Sequence, residues 1–131
     1  MFRLILSAII GWVLGRERKQ HDKDGGSRTL AIVCIGSCLL AILSLEIAKI
    51  IQPEIHNFTR MMAYAIVGIG FLGSAVIVNN KGRIDGITTA SLIWTCVPIS
   101  FCIGLRFYFY GIISTIFVYL ILESKYLFKE K

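Results

Sequence analysis

Two acidic and two basic side chains, Glu17, Arg18, Arg28 and Asp85, fall at the borders of apolar stretches, where helix ends would bring them to one place. Charges held in partly dehydrated surroundings pair, and removing one partner leaves the other uncompensated. Arg28-Thr29 opens one apolar run and Thr88-Thr89 opens another. Two helix N-termini, with unpaired N–H groups and positive dipole ends, therefore sit amid Arg18, Lys23 and Arg83. Phosphate or an acidic partner segment suits such a place. Simple capping by the Thr hydroxyls, with the charges serving only orientation, accounts for the same residues.

A second constellation is Gly68-Ile69-Gly70-Phe71-Leu72-Gly73, which matches the GxGxxG dinucleotide fingerprint. That chemistry needs a strand before it and an acid about twenty residues on. The nearest downstream acid, Asp85, is too close. Glycines that let helices touch in lipid explain the run better, and a locally unwound helix exposing carbonyls is the alternative. Ser7, Gly11 and Gly15 recur at every fourth position and give the first apolar run a smooth contact face, within the chain or across a dimer. Cys34, Cys38, Cys96 and Cys102 lie inside apolar runs without CxxC spacing and read as small packing residues. No catalytic, cofactor or metal residues are expected, since paired carboxylates, a Ser–His arrangement and a His/Cys cluster are all missing from the sequence. An enzyme is the weakest reading.

The elements that must position these groups are five apolar runs: Phe2 to Gly15, Leu30 to Ile51, Met61 to Val78, Thr88 to Leu105 and Phe107 to Leu122. With 56% hydrophobic residues in a chain of 131, there is more apolar surface than a soluble domain of this size can bury. The expected fold is all-α, a polytopic membrane protein of about five transmembrane helices. The first run, about 21 Å long as a helix, is short of the ~30 Å core and needs help from its ends. Its charge cluster follows it instead of preceding it, so it reads as a retained helix and not a leader. Residues 1–122 form the transmembrane domain and 123–131 a short charged cytoplasmic tail.

Charge gives the orientation. Arg16, Arg18, Lys19, Lys23, Arg28, Lys81, Arg83, Lys125, Lys129 and Lys131 fall on one side, and Arg3, Lys49, Arg60 and Arg106 on the other. Ten against four of the 14 basic residues makes the first side cytoplasmic and places the N-terminus outside and the C-terminus inside. The formal charge of +6 thus reads as membrane orientation and not as nucleic-acid binding.

Taken together, the segments resemble the MgtC/SapB family of bacterial inner-membrane proteins. The resemblance is carried by Gly15-Arg16-Glu17-Arg18, by Gly26-Ser27-Arg28-Thr29, by Arg60 followed by the Gly68 to Gly73 run, and by Gly86-Ile87-Thr88-Thr89-Ala90 with Trp94. Departures from the family pattern include Asp24, Ser27, Leu30, Tyr64 and Asp85, and larger members carry a soluble C-terminal domain with no counterpart in this sequence. The resemblance implies a multi-pass cell-membrane protein that regulates magnesium homeostasis or membrane energetics through other membrane proteins. The competing expectation is a small ion transporter or channel subunit acting as an oligomer. Partners implied are the lipid bilayer, other membrane proteins and, in a homo-oligomer, further copies of the chain; no cofactor is implied.

Overall fold

A computed structural model describes residues 1–20, 26–51, 55–80 and 83–127. They form five helices, α1 (Phe2–Gln20), α2 (Ser27–Ile51), α3 (Ile55–Ala75), α4 (Ile87–Gly104) and α5 (Tyr108–Leu127). Between α3 and α4 a small antiparallel hairpin, β1 (Val78–Asn80) and β2 (Arg83–Asp85), pairs Val78 with Asp85 and Asn79 with Ile84. That hairpin lies between the third and fourth apolar runs. Strands of three residues are too short to show a period-2 pattern in the sequence.

Helix α1 runs past the apolar stretch because Arg16, Glu17, Arg18, Lys19 and Gln20 are all good helix formers. Its 19 residues reach about 28 Å, longer than the apolar run alone. Helix α5 likewise continues beyond the apolar run to Leu127; residues 128–131 of the expected tail lie outside the described residues.

Helix α4 is the centre of the bundle. It packs on all four other helices, and α1 packs most extensively on α2. Accordingly α4 is buried on most of its circumference, at Leu92, Ile93, Cys96, Val97, Ile99, Phe101 and Ile103 among others. Helix α2 contributes Leu30, Cys34, Cys38 and Ala41, a stripe at three- and four-residue spacing. Contacts fix the directions: Gly15 lies on Ser27 and Gly11 on Leu30, so α1 and α2 are antiparallel. Gly104 lies on Cys38 and Ala41, and earlier along each helix Cys34 and Cys96 share one buried cluster, so α2 and α4 are parallel. Gly73 meets Ala90, and Gly111 meets Ile103, so α3 and α5 both oppose α4.

The outside of the bundle is apolar. Ile9 and Trp12 on α1, Ile32 and Leu43 on α2, Val67 and Phe71 on α3 and Phe117 and Ile121 on α5 all project outward. A soluble monomer rarely exposes apolar surface on this scale. Helix α2 over Ser27–Ile50 and helix α4 over Ile87–Gly104 are long and apolar enough to cross a membrane, while Thr59–Ala75 and Tyr108–Ser124 are shorter apolar segments.

The connection from α4 to α5 shows how Arg106 divides one long apolar stretch into two helices. Arg106 adopts a left-handed conformation, φ 70°. Its N–H donates to the Ile103 carbonyl at 3.2 Å and that of Phe107 to the Cys102 carbonyl at 2.8 Å. These two bonds close the helix end in the Schellman manner, with Arg where Gly is usual.

Candidate functional site at the charged helix ends

The alternating directions collect the end of α1, the start of α2, the hairpin and the start of α4 at one end of the bundle. Close approach begins at Gly15, where an added Cβ would stand 2.5 Å from the Ser27 Cα. Within the next turn, Glu17 and Arg18 are drawn inside, 1% and 4% exposed. Their side chains form a two-pronged ion pair: Arg18 Nη2 donates to Glu17 Oε1 at 2.6 Å, and Nε donates to Oε2. Sequence neighbours on a helix diverge by about 100° and do not ordinarily face each other. Here both turn toward the same dry interior, and the doubled, charge-assisted bond offsets the loss of water.

The structure does not draw the other expected members into that pair. Arg28 and Thr29 are exposed on the first turn of α2, and among the described residues no ion pair joins Arg28 to Glu17 or Asp85. Asp85 is exposed at the end of β2, opposite Val78, and is not without a partner of its own. Thr88 is exposed and Thr89 buried. Neither caps α4. Its N-cap is Gly86, with φ 91° and no side-chain capping bond. The reason is steric: a Cβ at Gly86 would fall 1.9 Å from the Val76 carbonyl oxygen. The hairpin return brings backbone onto backbone there, and only glycine fits.

The glycines divide into two groups. Gly11 and Gly15 sit against α2, where an added Cβ at Gly11 would meet Leu30 O at 2.5 Å and Ala31 Cα at 2.7 Å. Ser7, one step along the same face, donates its hydroxyl to the Cys34 carbonyl at 2.8 Å. The smooth face of α1 is therefore a contact within the chain. Gly68 and Gly70 are different: nothing lies within 4 Å of a Cβ built on either, and Gly73 makes only ordinary contact with Ala90. The expected packing role at Gly68 and Gly70 is not filled inside this chain, because they face outward on α3. Nor is the helix unwound there, since α3 continues unbroken to Ala75. Arg60 and Trp94 are likewise exposed.

Three features escaped the sequence reading. Gly104 is a tight contact, its Cβ position 2.5 Å from Ala41 Cβ and 2.8 Å from the Cys38 carbonyl oxygen. Arg3, which the charge pattern shows only as an orienting charge, donates to the Gly104 carbonyl at 2.7 Å. Cys34 and Cys96 belong to one buried cluster, and Ser100 is buried on the same helix as Cys96. Among the described residues no three His, Cys, Asp or Glu side chains gather to hold a metal ion.

The sequence profile of the MgtC family matches residues 4–131. An uncharacterised protein of Haemophilus influenzae is 35% identical over 121 residues, 88% of this chain and 51% of that protein. Protein SapB of Bacillus subtilis is 30% identical, with 94% of this chain and 55% of the relative covered. YhiD of Escherichia coli K12, whose full name carries a provisional assignment as a magnesium transporter, is 33% identical over 94% of this chain and 59% of its own length. The chain thus spans a little over half the length of these relatives. No solved structure matches it. The outward apolar surface, the membrane-length helices α2 and α4 and these likenesses lead to one assignment: this is a membrane protein of the MgtC type, and the chain belongs to the MgtC family.

Proposed function

We propose that the chain is a multi-pass protein of the bacterial inner membrane, crossing it five times with its N-terminus outside, and that it tunes magnesium homeostasis or membrane energetics by docking against other membrane proteins. The observation that carries this reading is the distribution of polar and apolar groups. Among the described residues the space between α2 and α4 is filled mainly by Leu30, Cys34, Cys38, Leu92, Ile93 and Ile99, with the hydroxyl of Ser100 among the few buried polar groups, so it offers an ion no charged lining, while the charged groups sit at the bundle ends. Outward, α3 presents Gly68 and Gly70 with nothing over them, a surface another helix could approach closely in lipid.

A second reading, an ion transporter or channel subunit working as an oligomer, draws support from the same open glycines and from the magnesium-transporter assignment in the name of YhiD. Purified protein in liposomes separates the two. The docking reading expects no magnesium flux above empty vesicles, together with a growth defect of a deletion strain in limiting magnesium and an altered membrane potential or ATP level. Flux that vanishes in Gly70→Leu would sink it and establish the transporter reading.

A further inference from the structure

We propose that the outer side of the seam between α1 and α2 holds one anionic phospholipid, its phosphate between Lys19 and Arg28 and an acyl chain along Trp12, Ile35, Ile5 and Leu39. Helix geometry groups these residues. On α1 the positions against α2 are Gly11 and Gly15. At 100° per residue, Lys19, Trp12 and Ile5 follow Gly15 around the helix by about 40°, 60° and 80°. On α2 the position against α1 is Ala31, and Ile35, Arg28 and Leu39 follow it by the same three steps. Because the helices are antiparallel, equal rotation on each opens onto one side of the seam. The opposite side is closed by α4, against which Ile10 and Leu14 are buried. All six residues of the outer side are exposed.

Depth orders them. Gly15 stands level with Ser27 and Gly11 with Ala31. Lys19 is therefore one turn outward of that level and Arg28 one residue inward, about 8 Å apart along the axis, which two long side chains close around one phosphate. Trp12 comes about 3 Å deeper than Arg28, at the depth where an indole bridges headgroup and chain. Ile35, Ile5 and Leu39 follow in turn. Leu39 lies about 16 Å below Arg28, close to half of the ~30 Å hydrocarbon core and thus the reach of one leaflet's chains.

Charge decides what covers this lane. Among the described residues no ion pair engages Lys19 or Arg28, whereas Lys49 at the other end of α2 is paired with Glu46. Of the described acids at the same end, Glu17 is buried with Arg18, Asp85 ends the hairpin and has a partner of its own, and Glu123 is on α5, which packs on α1 and α4. An apolar helix laid over the seam would bury two uncompensated cations. An anionic lipid brings the phosphate and the chain in one molecule, and basic residues at the membrane surface attract such lipids. The inference rests on the bundle lying in a bilayer, and on neither magnesium nor a partner protein.

The chain has two tryptophans, so Trp94→Phe leaves Trp12 as the reporter in the full-length protein. It is placed in vesicles of phosphatidylcholine and phosphatidylglycerol with quenching bromine on the chains of one lipid or the other. Quenching of Trp12 should show a several-fold preference for phosphatidylglycerol. The preference should fall to parity in Lys19→Gln/Arg28→Gln, persist in Lys49→Gln, and be unmoved by inorganic phosphate. In Trp12→Phe, the remaining Trp94 on α4 should report parity. Should the double variant fail to accumulate, Lys19→Gln and Arg28→Gln singly must each lower the preference. Parity at Trp12, a preference untouched by these changes, the same preference at Trp94, or loss of the preference on adding inorganic phosphate would each overturn the proposal. Those outcomes leave the membrane reading intact; a Trp12 quenched by neither brominated lipid would overturn both.

Discussion

Arg3 and Gly104, 101 positions apart in sequence, are joined by a hydrogen bond of 2.7 Å from the Arg3 Nη1 to the Gly104 carbonyl. The carbonyl is among the last four of α4, which lack partners within the helix, and the cation faces the negative end of the helix dipole. Beside it Phe2 and Tyr108 meet edge to face, ring centroids 6.2 Å apart. The beginning of α1 is thereby tied to the α4–α5 turn. Arg3→Ala is expected to cost about 1.5–3 kcal/mol, the worth of a hydrogen bond to a charged group. Arg3→Lys should recover part of it. Thermal unfolding in detergent checks both, and an Arg3→Ala protein as stable as wild type would show the bond to be incidental.

Glycine substitutions should split along the line drawn by their surroundings. Gly11→Ala and Gly15→Ala push a methyl into backbone atoms of α2, at 2.5 Å in each case, so the helices must separate. The expected loss is about 1–3 kcal/mol or more. Gly68→Ala and Gly70→Ala meet nothing within 4 Å, and should be neutral or stabilising by up to about 1 kcal/mol through helix propensity. Membrane accumulation and unfolding temperature of the four variants decide the matter. Equal damage at Gly11 and Gly70 would mean that α3 is covered by another helix in the assembled protein.

That division also marks how far the sequence could be read. The five helices follow from apolar runs bounded by charge, and the Ser7–Gly11–Gly15 face from a strict spacing of four. What spacing cannot say is which way a glycine points. Gly68 and Gly70 look like packing residues on the same evidence as Gly11, and only the rotation of α3 relative to α4 sends them outward. At the charged end Glu17 and Arg18 pair, and nothing in the charge pattern says that these two would do so. Arg28 begins α2 on its exposed side, whereas Glu17 and Arg18 turn inward together because Gly15 lets α1 close on α2. Gly86 stands in a recognisable motif, but its left-handed φ follows from the hairpin, which three-residue strands hide from sequence.

Backbone conformation gives a pair of opposite outcomes. Gly86→Ala combines φ 91° with a Cβ 1.9 Å from the Val76 carbonyl oxygen, so the junction of hairpin and α4 must rearrange. Arg106 stands in the left-handed region, φ 70°, at a cost of about 1–2 kcal/mol that glycine does not bear. Arg106→Gly should therefore raise the unfolding temperature, and Gly86→Ala should lower it or prevent accumulation. A drop with Arg106→Gly would mean that the exposed guanidinium contributes more than its backbone costs.

The buried pair at the end of α1 offers the sharpest test of the charged site. Glu17 and Arg18 exclude water from each other's charge, so a single neutralisation leaves an ion in a dry place, a loss of about 3–5 kcal/mol. The two single changes are not equivalent, because Glu17 keeps a further interaction beyond Arg18. Arg18→Gln should be the milder and Glu17→Gln the more damaging. Replacing both, as Glu17→Gln with Arg18→Met, removes both charges and should restore much of the stability lost in Glu17→Gln. Arg28→Ala, on an exposed residue outside the pair, should leave stability unchanged and gain nothing from removal of Glu17. Measuring accumulation in the membrane and growth in limiting magnesium on the same strains separates structure from function. A double variant that is stable but fails to support growth would assign the ion pair a functional role, while one that is stable and supports growth would confine it to closing α1 on α2.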